Sequence, residues 1–296
     1  MKRISILLIL AAWSLTAAAQ NAPALLIGAD PAVYATGGTS LVQVADAFAA
    51  DNNAAGMSLS AGTFDVAATY GMWAPKTAGN LLAGLGAYYK INDKFAIGLS
   101  GRMLRDKPYE ATSVSGQTSG TFTPSDIVAG LGLSFAVMDG LSVGVSGHFL
   151  SSAIAADMKG SAFAADVTAM YARDAFRAAL GVSNLGTPLN YGGQSYPLPM
   201  MARLGGAYTV AGFTAGVEVD YLFSGALMAG LGLEYCVAGI VSLRGGFHYG
   251  DPAKAMPTYA SLGLGVKYAG FHLDAAFMTA SRTLGNTLAV SLGYAF

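Results

Sequence analysis

From Thr287 to Phe296 the chain reads TLAVSLGYAF, and its side chains alternate without a break. Leu288, Val290, Leu292, Tyr294 and Phe296 fall on one side, and Thr287, Ala289, Ser291, Gly293 and Ala295 on the other. Successive residues of a strand face opposite ways, so this segment has one large apolar face and one small face. That is the pattern of the closing strand of a bacterial outer-membrane β-barrel, with bulky groups toward lipid and small ones toward the lumen.

Composition agrees. Of 296 residues, 53% are hydrophobic, 11% are charged and 39 are glycine, whereas soluble domains carry roughly a quarter charged residues. A spanning helix needs about 20 apolar residues in a row. The best stretch beyond the leader, 221–243, holds four glycines and Glu234. Each glycine disfavours a helix by about 1 kcal/mol, and a midplane carboxylate is costlier still. A closed barrel is the other structure that satisfies every backbone group within a bilayer.

The amino terminus has the three regions of a secretory signal: Lys2 and Arg3, an apolar run over 4–15, and Ala17-Ala18-Ala19. Cleavage is expected after Ala19. We therefore expect a signal peptide at 1–19, a plug segment at 20–56 inside the barrel and a transmembrane barrel over 57–296, integral to the outer membrane and in contact with its lipid. The single cysteine, Cys236, has no intrachain partner. A net charge of -1 points to no nucleic-acid partner.

Period-two segments between turn signals predict about fourteen antiparallel strands in an all-β barrel. They fall at 64–74, 80–91, 94–104, 127–137, 141–150, 161–172, 174–184, 199–210, 212–223, 225–237, 239–249, 257–269, 271–280 and 286–296. Two-residue turns, such as Asp139-Gly140, Ala211-Gly212 and Ala269-Gly270, alternate with longer connections. The short set should be periplasmic and the long set external. Four copies of Gly-Leu-Gly-x-x-aromatic, starting at Gly84, Gly130, Gly230 and Gly263, fall on even-numbered strands. With Tyr171, Tyr208 and Tyr294 they give every even strand an outward aromatic near its periplasmic end, as an interfacial girdle requires.

Inward positions read mostly as glycine, alanine and serine. The strand charges share that phase: Arg102, Asp166, Arg177, Arg203, Glu218, Asp220, Glu234, Arg244, Lys267 and Asp274. We expect a lumenal charge network. The plug segment carries Asp30, Asp46 and Asp51 without a basic residue, so its acids are expected to pair with lumenal arginines or Lys267. A periplasmic tail is the plainer alternative.

Within the plug, Leu25-Leu26-Ile27, Asp30, Gly37-Gly38, Asp46-Ala47-Phe48-Ala49 and Asn53-Ala54-Ala55-Gly56 resemble the amino-terminal signature of the PorV/PorQ family of outer-membrane proteins. Ser183-Asn184-Leu185-Gly186, then Tyr191, Leu198-Pro199 and Arg203-Leu204-Gly205, are similar to a strand end and loop of that family. The resemblance marks Asp30, Gly37, Gly38, Asp46 and Asn53 as the plug motif. It implies a FadL-like barrel serving the type IX protein secretion system, with the translocon and its cargo as protein partners.

Chemistry is sparse. Gly140-Leu141-Ser142-Val143-Gly144 matches a nucleophile-elbow string but enters a strand, where the elbow requires a strand-to-helix turn. His272 and Asp274 share a face with no nucleophile or metal spacing beside them, and His148, His248 and His272 sit on separate strands. We therefore expect no catalytic residue, cofactor or metal. Tyr109, Tyr191 and Tyr196 on glycine-rich outer loops are candidate protein contacts, with solvated loops as the alternative. The leading expectation is a non-catalytic secretion component. The alternative, a FadL-like transporter of a hydrophobic small molecule, should require large apolar side chains inside the barrel.

Overall fold

The computed structural model describes residues 22–75, 79–112, 116–251 and 254–296. The expected leader at 1–19 lies outside the described residues. In chain order the strands are β1 (Phe64–Trp73), β2 (Asn80–Lys90), β3 (Phe95–Arg105), β4 (Tyr109–Thr112), β5 (Thr118–Phe122), β6 (Ser125–Met138), β7 (Leu141–Ala153), β8 (Lys159–Arg173), β9 (Phe176–Gly186), β10 (Leu189–Tyr191), β11 (Gln194–Tyr196), β12 (Met201–Val210), β13 (Phe213–Leu222), β14 (Ala226–Val237), β15 (Val241–Gly250), β16 (Tyr259–Tyr268), β17 (Phe271–Ser281) and β18 (Gly285–Ala295).

Fourteen of these form one closed barrel, and each pairs antiparallel with its neighbours. The carboxyl-terminal strand closes the ring against β1, from Asp65 opposite Ala295 to Met72 opposite Leu288. Closure removes the unpaired strand edges that a bilayer does not tolerate. The remaining four strands make two hairpins in the outer loops, β4–β5 and β10–β11.

The tightest turns follow from local chemistry. Ala211-Gly212, Ala238-Gly239 and Ala269-Gly270 all hold left-handed conformations, with φ of 49° and 81°, 53° and 70°, and 51° and 85°. A two-residue turn with positive φ at both positions matches the twist of the strands it joins. These turns fix strand register at the end of the barrel termed here the lower end.

The outer wall is apolar. Leu85, Leu99, Leu180, Leu204, Leu262 and Leu292 are each more than half exposed, as a lipid-facing belt requires. All seven even-strand aromatics are exposed, from Tyr89 to Tyr294, and they are joined by Phe95, Phe176, Phe213 and Phe271 on the odd strands. These meet in cross-strand pairs such as Phe95 with Phe135, whose ring centroids are 4.9 Å apart.

Candidate functional site: the lumen

Residues 22–60 run inside the barrel as a 3-10 turn (Pro23–Leu25) and three short helices, α1 (Pro31–Ala35), α2 (Ala49–Asn52) and α3 (Gly56–Leu59). Helices this short leave most of their carbonyls unsatisfied. The wall supplies the missing donors. Thr69 Oγ1 donates to Ala29 O at 2.6 Å, Ser146 Oγ to Ala50 O at 2.7 Å, Ser261 Oγ to Ala35 O at 3.1 Å and Ser142 Oγ to Ala55 O at 2.5 Å. The elbow-like string at Ser142 is thus a turn and strand that pegs the inner segment in place.

The residues of the plug motif organise the segment locally. Asp30 caps α1 by accepting from Ala32 N at 2.8 Å, and it accepts from Asn52 Nδ2 at 2.8 Å. Gly37 and Gly38 follow α1 with φ of 66° and 85°. A Cβ on Gly37 would lie 2.5 Å from Phe247 O, so no other residue fits there. Asp46 Oδ1 accepts from Phe48 N at 2.9 Å, and Asn53 Nδ2 donates to Leu41 O at 2.7 Å. Burial, and then the charge of Asp30, push the Asp46 carboxyl well above the usual range.

The lumenal charges form three separate groups rather than one network. In the first, Asp51 of α2 pairs with Arg102 and accepts from Ser100 Oγ at 3.0 Å. His148 stands beside it, 3.5 Å from Asp51 through Nδ1 and 3.3 Å from Asp166 through Nε2. Burial works to raise the Asp51 carboxyl, but Arg102 and His148 outweigh it and hold it below the ordinary range. In the second, Arg203 lies 2.5 Å from Glu218 and 3.4 Å from Asp220, and it donates to Asn52 O at 3.2 Å and to Ser40. Glu218 Oε2 in turn accepts from Leu41 N at 2.7 Å.

The third group sits at the lower end. Arg244 bridges Glu234 and Asp274 at 2.5 Å each, and His272 Nε2 is 2.8 Å from Asp65. Arg177 stands apart and donates to Val42 O at 2.9 Å. Lys267 is exposed. Of the inner-segment acids, Asp51 meets a wall arginine, whereas Asp30 is engaged by backbone and amide groups. Asp65 carried no distinguishing sequence signal: it is the second residue of β1, and only the pairing of β1 with β18 brings it near His272.

The lumen is not uniformly small. At the loop end the inward side chains include Trp73, Leu82, Leu104, Val128, Leu150, Met201, Leu222, Met228, Tyr259 and Met278, all buried in one cluster with Leu25, Ile27 and Tyr34 of the inner segment. Leu189, Tyr191 and Leu198 of the outer loop after β9 join that cluster from above. Tyr191 is therefore a core residue, 5% exposed, with its ring 6.0 Å from that of half-buried Tyr196. Tyr109 is exposed on the β4–β5 hairpin.

Among the described residues, two cavities border the inner segment. The upper one, about 100 Å3, is lined on its apolar side by Leu25, Leu26, Tyr34, Met201, Met228 and Met256, and on its polar side by the first two charge groups. The lower one, about 350 Å3, is of mixed character and takes in Asp46, Arg177, Glu234, Arg244, Lys267 and Cys236. Helix α1 separates them: Val33 and Tyr34 face the upper cavity, Ala32 the lower. Among the described residues no cluster of three or more His, Cys, Asp or Glu is arranged to hold a metal ion.

No family model matches the chain, and no curated protein does. Solved structures do. The Ralstonia pickettii toluene transporter TbuX superposes with a TM-score of 0.68 at 13% identity, over 92% of this chain and 99% of that one. The Pseudomonas putida toluene transporter TodX gives 0.66 at 12%, over 91% and 98%. A Pseudomonas aeruginosa FadL homologue gives 0.57 at 14%, over 94% and 99%. The fold is FadL-like.

These findings correct the leading expectation. Membership of the PorV/PorQ family and a role in type IX secretion find no support, and the FadL-like structures are described as transporters, channels and a FadL homologue. The inward positions, mostly glycine, alanine and serine along the strands, give way to large apolar side chains near the outer loops. The apolar interior that the alternative required is present at the loop end.

Proposed function

We propose that the chain is an outer-membrane conduit for a small hydrophobic molecule, with residues 22–60 as its plug. The carrying observation is the upper cavity, walled by leucine, methionine and tyrosine side chains beneath the outer loops. Sites for small molecules are typically concave and mainly apolar, with a few placed polar groups. Helix α1 of the plug lies between the two cavities, so passage from the upper to the lower one requires α1 or its neighbours to move. Similarity of fold to proteins described as toluene transporters supports the same reading.

The test is uptake of radiolabelled toluene by cells that lack other FadL-type barrels, with and without this chain in the outer membrane. We expect a several-fold rise in initial rate. Uptake equal to that of the empty-vector cells, with the barrel verified as folded, would remove the proposal.

A further inference from the structure

The upper cavity contains a feature that a pure hydrocarbon would not use. Tyr259, the first residue of β16, is 0% exposed, and its Oη has no hydrogen-bond partner among the described residues. His248, across the β15–β16 pairing, stacks on it with centroids 5.0 Å apart and an interplanar angle of 13°. The imidazole is held by backbone, with Nδ1 3.3 Å from Gly37 O and a further contact to the Met256 backbone, so the unpaired group of this corner is the Tyr259 hydroxyl. Buried polar groups are nearly always hydrogen-bonded, and leaving one unpaired is costly. Both residues line the cavity, so a ligand oxygen placed there would relieve that cost.

The remaining polar lining limits what that oxygen can belong to. Arg102 and Arg203 are the arginines on the cavity, and both are already committed to carboxylates. Asp30, Asp51, Asp166 and Asp220 also line it. A carboxylate ligand would meet four acids and no free guanidinium. Size sets a further bound: an empty apolar cavity of roughly 150 Å3 holds one benzene ring. This one is about 100 Å3, with Met201, Met228 and Met256 able to adjust around a guest.

We infer that the upper cavity takes an uncharged, single-ring-sized, mainly apolar molecule bearing one hydroxyl, a phenol, whose oxygen bonds to Tyr259 Oη. The inference rests on the conduit reading and names its substrate class. Gly38 keeps this corner open, since a Cβ there would lie 3.0 Å from His248 Nδ1 and 3.5 Å from Tyr259 Oη.

The experiment is calorimetry on the full chain in lipid nanodiscs, with empty nanodiscs subtracted, using p-cresol, toluene and p-toluate at neutral pH. We expect p-cresol to bind about tenfold more tightly than toluene, equal to 1.4 kcal/mol, and p-toluate at least tenfold more weakly than p-cresol. Y259F should bring p-cresol down to the toluene value while leaving toluene within about twofold, as expected for loss of one hydrogen bond. M228F, which fills the cavity, should weaken both. Equal affinities for p-cresol and toluene in the unsubstituted chain would overturn the inference whatever the variants do. If toluene still binds and enters cells, the conduit reading survives that result. If neither compound binds and toluene uptake is absent, both readings fall.

Discussion

The two halves of the lumen are built on opposite plans. At the loop end the wall contributes large side chains, Leu82, Leu150, Met228 and Tyr259 among them, and the inner segment meets them side chain to side chain. Lower down, several of the wall positions that the inner segment crosses are glycine, and others are serine and threonine. A Cβ on Gly232 would lie 2.6 Å from Thr36 O, and one on Gly98 would lie 2.6 Å from Met57 Sδ and 2.9 Å from Ala50 Cβ. Glycine there is the space that the inner segment occupies, and serine and threonine are its hydrogen-bond donors. A small-residue lumen need not be an open one.

Substitutions in each half should break this contrast in different ways. R203A should have the largest effect, because it leaves Glu218 and Asp220 buried without their cation. Breaking a buried ion pair costs about 3–5 kcal/mol, measurable by urea titration of the barrel refolded in vesicles, and Asn52 and Ser40 of the inner segment lose a partner as well. G232V should come next, at about 1–3 kcal/mol for overpacking. Its mark should be selective, with the inner segment becoming protease-sensitive while the strands stay protected.

M228A in the upper half should cost about 2 kcal/mol, the low end for methionine in a core, because its side chain already borders a cavity. Unlike G232V it should leave the inner segment protected. D46N should have the smallest effect and the opposite sign. The carboxyl of Asp46 is raised in the folded chain, so its ionisation opposes folding increasingly as pH rises above the unfolded value of about 3.9. The amide keeps the acceptor for Phe48 N and removes the charge. A gain of less than about 1 kcal/mol is expected near pH 7, vanishing below about pH 4; a gain that persists in acid would assign the effect to something other than ionisation.

The wall was legible because period two survives everywhere a strand has lipid on one side. All fourteen barrel strands fall where alternation placed them, with ends moved by three residues or fewer. The hairpins β4–β5 and β10–β11 were not legible. Both are short, and their residues, such as Thr118 and Gln194, face no lipid that would impose an apolar face. The apolar upper lumen was missed for a different reason. Composition along a whole strand hides a change with height: Met228 at the outer end of β14 shares its inward face with Gly230 and Gly232 below it.

Site residues divided similarly. The inward phase of Arg102, Arg203 and Arg244 followed from strand parity, but their partners depend on height in the barrel and on the path of the inner segment. Sequence spacing carries neither. Tyr259 had the right parity as well, yet a tyrosine at a strand start gives no sign in the sequence that its hydroxyl will be buried unpaired.

The inner segment closes the barrel to ions while the upper half stays available to an apolar guest. Single-channel conductance in planar bilayers separates these roles by comparing the full chain with a variant lacking residues 22–60. The full chain should be electrically silent, and the deletion variant, still a folded barrel, should conduct steadily. Steady ion conductance by the full chain, or silence from the folded deletion variant, would contradict that closure.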